Sequence, residues 1–408
     1  SEGSATAPQR HQTLRATIDW SYQLLSEAQQ AALRELSVFR NGFSLDAAEA
    51  VMGENDPTTS ALKDLASLAD KSLISAAIEN GVQRYRMLET VRQFAHEQLE
   101  TDPAIEDVRE RHARWASQLV LDVWPAMYDS RISEVASALA TEASNLQAAN
   151  LWASTHDKST SAQILLGLAC HWYLSGQFTR AREDVEGALN SETRQARRSI
   201  LLSLAARIEA YAENLDAAMA NAEAAARDID QLSTPPEQAW VLATQQLSYF
   251  MSARRDPTLM LPVAKRALNV AQQLGEAPAA VLAFETAADG YCWNGQTAEG
   301  LSLQEEALRI ARNSASSDLA DHAYGHAIYN LMLDPVSRGR RPASHVEEWT
   351  ALTGASSSGS NLNSNDWLPW IYMQQGDLDG ANRELEAIGG RKREGYNRTI
   401  YQLVSATV

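Results

Sequence analysis

Apolar positions change period twice in the first hundred residues. Ser26 and Gln29 have the spacing of a capping box, and Leu33, Leu36 and Phe39 follow on one helical face. Ser44 heads a second helix with Ala47, Ala48 and Val51. Thr59 heads a third, with Leu62, Leu65, Ala66 and Ala69. The period then shortens to two: Leu73 to Ile78 is β-prone, Asn80-Gly81 is a type I′ turn signal, and Val82, Arg84, Tyr85 and Met87 form a second extended run. A helix with Leu88, Val91, Ala95 and Leu99 closes the unit before Asp102-Pro103. Short helices followed by a two-stranded wing describe a winged helix over residues 12–103. The polar, Pro-containing residues 1–11 read as a linker.

Beyond Pro103 the pattern is helical throughout, first as connecting helices over 104–160 (Val108, His112, Trp115, Leu119, Val123; then Ile132, Val135, Leu139). From 161 to 390 helix pairs break at similar places. Trp172-Tyr173-Leu174-Ser175-Gly176 and Trp370-Ile371-Tyr372 to Gly376 are the clearest copies, with further breaks near Asn214, Arg255 and Gly295. A period of about 40 residues in helix pairs is the mark of an α-solenoid of tetratricopeptide-like units. Residues 391–408 are read as its C-terminal end. The expected fold class is mainly α: a small winged-helix domain followed by an α-solenoid.

Composition narrows the function. With 35 Lys+Arg against 52 Asp+Glu the net charge is −17, which repels phosphate backbones and anionic lipid, so DNA contact and membrane association are disfavoured. No apolar run approaches about 20 residues. Two cysteines, Cys170 and Cys292, cannot make a disulfide framework, and both are expected packed and free in a cytoplasmic protein. The chain begins at Ser1 without Met, which leads us to expect a longer parent polypeptide.

His11-Gln12-Thr13-Leu14-Arg15-Ala16-Thr17-Ile18-Asp19-Trp20-Ser21-Tyr22, with Leu24-Leu25-Ser26, resembles the segment that follows the ATPase core in bacterial STAND-type transcriptional regulators of the AfsR, LuxR and MalT kind. The likeness continues through Leu36-Ser37-Val38-Phe39, Gly42-Phe43-Ser44-Leu45-Asp46-Ala47-Ala48-Glu49, Leu68-Ala69-Asp70-Lys71-Ser72-Leu73 and Arg84-Tyr85-Arg86-Met87-Leu88-Glu89-Thr90-Val91-Arg92, about a quarter of the chain. Glu142, Asn145, Leu146, Ala149, Trp152 and Ala153 are similar to the helix that introduces the sensor repeats of those proteins. The resemblance implies a modular switch in which a repeat domain binds a small-molecule or protein effector and a winged helix relays occupancy to an upstream NTPase domain. No GxxxxGK[ST] loop occurs, so no cofactor is expected in this chain and ATP only in a domain upstream. The alternative is a constitutive interaction scaffold without switching.

No residue set points to catalysis. A Gly-x-Ser-x-Gly elbow is absent, and adjacent Cys170 and His171 lie about 100° apart around a helix. The chain is therefore expected to be non-enzymatic. Trp172, Tyr173, Tyr249, Tyr291, Trp293, Tyr329, Trp370 and Tyr372 are candidates to line a ligand groove, although each also suits core packing. Arg15, Trp20, Tyr22, Arg84 and Arg86 are candidates to contact the implied NTPase domain, the aromatic pair being equally suited to the core. Lys63 and Lys71 on the helix that would enter a DNA groove are cancelled by Asp64 and Asp70. Basic runs at Arg338, Arg340 and Arg341 and at Arg391, Lys392 and Arg393 read as solvated loops. Asp318, His322 and His326, at i, i+4 and i+8, share one helical face, but without a fourth ligand no metal site is assigned.

Overall fold

The structure, a computed structural model, describes residues 6–52, 61–79, 81–129, 131–192, 194–232, 234–251, 257–314, 316–333 and 377–389. Helix α1 spans Thr6–Gln23, so helix begins inside the stretch read as a linker. Pro8 falls in its first turn, where a missing N–H breaks no helical bond. Helix α2 (Glu27–Leu36) carries the foreseen capping box: Ser26 Oγ accepts from the Gln29 N–H and the Ser26 N–H donates to the Gln29 side chain. Strand β1 (Phe43–Ser44), helix α3 (Leu45–Val51, capped by Ser44), helix α4 (Ala61–Asp70), strands β2 (Ile74–Glu79) and β3 (Val82–Met87) and helix α5 (Glu89–Glu100) follow. The sheet has the order β1-β3-β2, antiparallel throughout, with Ile74 opposite Met87 and Phe43 opposite Tyr85. Two residues carry no period, so sequence pattern showed the hairpin but not β1.

Leu33, Leu36, Leu65, Leu68, Val91 and Leu99 are fully or almost fully buried in one core. Phe39 stacks on Phe43 at 4.9 Å, and Phe43 on Tyr85 at 6.0 Å, tying the helices to the wing. Entry to β1 needs Gly42. Its φ is +89°, and a Cβ there would lie 2.7 Å from the Tyr85 carbonyl oxygen. Gly42→Ala is expected to destabilise this unit by about 2 kcal/mol or more, read as a lower thermal midpoint and faster amide exchange in β3. An unchanged midpoint would show that the β1 entry relaxes freely.

The compact unit does not end near Pro103. It comprises residues 1–121 together with 141–164. Helix α6 (Ile105–Val123) lends Val108, His112, Ala113 and Ala116 to buried positions, and Asn145 on helix α8 (Ile132–His156) reaches into the β1 turn. Its Oδ1 accepts from the Arg40 N–H at 2.6 Å and its Nδ2 donates to the Gly42 carbonyl at 2.9 Å.

The second unit, residues 122–140 and 165–408, is built of helix pairs. After the short α7 (Pro125–Tyr128) and the start of α8 come α9 (Lys158–Leu174) with α10 (Phe178–Ser191), α11 (Gln195–Tyr211) with α12 (Leu215–Arg227), α13 (Pro235–Met251) with α14 (Pro257–Leu274), and α15 (Ala280–Trp293) with α16 (Thr297–Asn313), then α17 (Ser317–Leu333) and α18 (Leu378–Gly389). Three of the pair turns are the same object. Gly176, Glu213 and Gly295 each take left-handed φ, of 75°, 64° and 83°. The next residue then donates its N–H five positions back: Gln177 to Trp172, Asn214 to Glu209 and Gln296 to Tyr291, at 2.8 to 2.9 Å. Helices approach closely where side chains are small; a Cβ on Gly290 would come within 2.5 Å of the Ala264 Cβ. The unit is thus an α-solenoid of tetratricopeptide-like pairs, as its period foretold. The copy foreseen at Trp370 to Gly376 lies outside the described residues.

Candidate functional site

The winged-helix unit presents apolar rather than basic surface. Trp20 on α1 and Leu24 just after it are 64% and 60% exposed, while Tyr22 between them turns inward, packs edge-on against Phe94 at 5.4 Å and accepts from Arg34 Nη1 at 2.7 Å. Arg15, on the same helix, pairs with Glu97. On the wing the two arginines part company. Arg84 is buried and bound to Glu142, whose other oxygen accepts from Asn145. Arg86 stays at the surface, where both Glu79 oxygens take its guanidinium at 2.9 and 3.0 Å. On α4, Lys63 and Lys71 are exposed; Asp64 is buried, and that burial raises its carboxyl above the usual range.

In the repeat unit the alternate helices α11, α13, α15 and α17 carry a ladder of buried polar groups. Arg207 on α11 lies over the Trp240 ring and donates to Thr244 Oγ1 at 2.9 Å. Gln246 on α13 donates to Asp289 Oδ2 at 2.8 Å. Asp289, on α15, also accepts from Asn330 Nδ2 at 2.7 Å through Oδ1 and faces His326 Nδ1 at 3.1 Å through Oδ2. Asn330 in turn donates to Gln304 of α16. Burial would lower the His326 imidazolium, but the carboxylates of Glu285 and Asp289 outweigh it and raise the group to about 9. One helical turn before Asp289, Glu285 is 1% exposed and meets His322 Nε2 at 2.9 Å. Polar groups held this way are already oriented before anything binds, which is the chemistry that suits a polar ligand.

Comparison with known proteins bears on both units. Residues 25–100 match the family described as winged helix-turn-helix domain. Residues 25–100 are a winged helix-turn-helix domain. Putative HTH-type transcriptional regulators of Mycobacterium tuberculosis and Mycobacterium bovis are 40% identical over 174 residues, which is 42% of this chain and 19% of theirs. An uncharacterized protein of Mycobacterium tuberculosis is 39% identical over 119 residues, 28% of this chain and 30% of its own. The chain thus spans less than a third of the length of these curated relatives. A crystal structure of a signal transduction ATPase with numerous domains, a STAND protein with a tetratricopeptide repeat sensor from Pyrococcus horikoshii, superposes with a TM-score of 0.53 over 94% of this chain and 60% of that one, at 15% identity. The fold class is borne out, and the regulator-named relatives and the STAND protein of like fold agree with the resemblance read from the sequence.

Relative to the winged helix-turn-helix domain and its repeats, the candidate residues scatter. Of the aromatic set, Trp172, Tyr173 and Tyr291 are buried between helices: Trp172 Nε1 donates to Asp184 under the Arg180 guanidinium, and Tyr173 packs on Tyr211 at 5.7 Å. Tyr249 and Trp293 are partly buried. The side chains of Tyr329, Trp370 and Tyr372, and both basic runs, lie outside those described. Asp318 points away from His322 and His326 and accepts from the N–H and Oγ of Ser133. The polar seam was missed because its members come from five helices, and only the His322/His326 spacing is visible along the chain. Neither cysteine is in a disulfide and both are buried, and burial pushes the Cys170 thiol up to about 12. Among the described residues no helix is long and apolar enough to cross a membrane.

Proposed function

We propose that this chain is the relay and sensor portion of a transcription-controlling signal-transduction ATPase, and is not itself an enzyme. The repeat unit binds a small-molecule or protein effector, and the winged helix passes occupancy to an NTPase domain elsewhere in the same polypeptide. The observation that carries this is a winged-helix unit that exposes Trp20 and Leu24 while its wing arginines are occupied by Glu142 and Glu79. Apolar side chains at this exposure suit a protein surface; neutralised cations on an acidic chain give phosphate little to bind. Regulator-named relatives and the STAND-like fold support the same reading. The physical logic is population shift: an effector that binds one curvature of the repeats better than another changes which surface is presented.

The test uses the polypeptide encoded by the full reading frame. Trp20→Glu with Leu24→Glu is expected to change its nucleotide hydrolysis at least several-fold while circular dichroism stays unchanged. A reading frame without a nucleotide-binding segment, or an unchanged rate, would overturn the relay. Small-angle scattering separates the sensor from a scaffold: a bound effector changes the profile of a sensor, whereas a scaffold recruits a partner with its own profile intact.

A further inference from the structure

We propose that Glu285, His322 and His326 form a binding site for a first-row transition-metal dication, with zinc the best match. One ligand atom from each lies within 4.8 Å of the other two, with Glu285 on α15 and the histidines one turn apart on α17. Two imidazoles and a carboxylate are the donor set of three-ligand zinc sites, in which zinc sits about 2.0 Å from each ligand nitrogen.

Two further observations separate this cluster from a simple ion-pair network. First, both Glu285 carboxylate oxygens and His322 Nε2 are buried without a hydrogen-bond partner. Glu285 Oε2 and His322 Nε2 face each other at 2.9 Å, yet without hydrogen-bond alignment. Leaving a buried carboxylate so unsatisfied is costly, and a dication between these atoms would satisfy all of them. Second, the neighbouring carboxylate is fully used. Asp289 holds His326 Nδ1 at 3.1 Å and is itself held by Gln246 and Asn330, which leaves His326 Nε2 as that residue's remaining donor. A carboxylate on the far nitrogen of a metal-binding imidazole fixes its tautomer and orientation. Asp289 is therefore a positioning residue and Glu285 a ligand. Three protein ligands leave at least one coordination position for water or for an anionic group of a bound molecule. This assignment stands whether or not the chain acts as a regulator.

The test is cobalt and zinc binding by the chelator-stripped full chain. Wild type is expected to take up one Co2+ with visible d–d absorption, displaced by Zn2+. Glu285→Gln and His322→Ala should each weaken binding at least tenfold, and Asp289→Asn roughly tenfold. Zn2+ should also protect His322 and His326 of the wild type from diethylpyrocarbonate while leaving the exposed His156 reactive, a readout that needs no variant. No stoichiometric uptake by wild type, uptake unaltered in both ligand variants, or absence of that protection would each overturn the site.

Discussion

Glu142→Ala is expected to destabilise the winged-helix unit by about 3 to 5 kcal/mol, one of the largest losses from any single side chain in it. The Arg84 and Glu142 side chains are 5% and 8% exposed and meet at 2.5 Å, so deletion of the carboxylate leaves a guanidinium in a site with almost no water. Glu79, at 3.8 Å from Arg84 Nε and bonded through both oxygens to Arg86, leaves Arg84 only a longer ion pair. Loss of Glu142 also removes an acceptor from Asn145, whose remaining bonds hold the Arg40 N–H and the Gly42 carbonyl, and so loosens entry to β1. The partner substitution decides the mechanism. Arg84→Met with Glu142→Leu removes both charges and should recover much of the loss, because the cost lies in an unpaired buried charge rather than in the missing attraction. Amide exchange of the β2–β3 hairpin is the proper readout, since global unfolding of a chain with two compact units need not be two-state. A loss below about 1 kcal/mol in the single variant would show that water reaches the pair.

That pair also explains why residues far apart in sequence belong to one motif. The stretch around Arg84 and the stretch around Glu142 and Asn145 both resembled STAND-type regulators, but the sequence placed them in separate domains because Asp102-Pro103 interrupts the helical pattern between them. In three dimensions α8 returns Glu142 and Asn145 to the wing, and the compact unit closes only with residues 141–164. Arg84 and Arg86, two positions apart, share a face of β3, so alternation alone assigns both the same environment. The helix that crosses behind the strand buries one and leaves the other to Glu79.

What the sequence showed clearly was periodic. The hairpin, the capping box at Ser26, the Ser44 cap, and the turns at Gly176 and Gly295 each follow from a local rule that needs no tertiary partner. Glu213 marks the limit of that reading. It takes the same left-handed turn as the two glycines, and only its place in the period reveals it. The site in the repeats was illegible for a related reason. His322 and His326 stand at helical spacing, but their carboxylate comes from α15, while Asp318, the acid that sequence spacing supplied, faces Ser133. Aromatic side chains misdirected attention similarly: Trp172 and Tyr173 precede a turn because their bulk fills the space between successive pairs, which is a packing requirement of the solenoid.

The second large effect is a pH dependence set by His112. The ring is buried between Trp115, on which it stacks at 5.7 Å, and Phe39, which meets it edge-on at 5.0 Å. Its Nε2 has no hydrogen-bond partner. Burial first, and the Arg40 charge second, push the imidazolium down to about 3. The folded unit therefore holds His112 neutral where the unfolded chain, with an ordinary value near 6.5, takes up a proton. Because the unfolded state binds more protons in this window, stability is complete above about pH 6.5 and falls as pH drops toward 3. The expected loss is about 2 kcal/mol by pH 5 and roughly 4 kcal/mol by pH 3, from 1.36 kcal/mol per unit. Most carboxylates titrate below this range, so the interval from pH 7 to 5 reports mainly on histidine. His96, also lowered chiefly by burial, adds a slope of the same sign. His112→Phe keeps the aromatic packing and removes the titration, so its stability should vary much less than wild type between pH 7 and 5. Identical slopes in the two proteins would show that the His112 site admits a proton, and water with it, in the folded state.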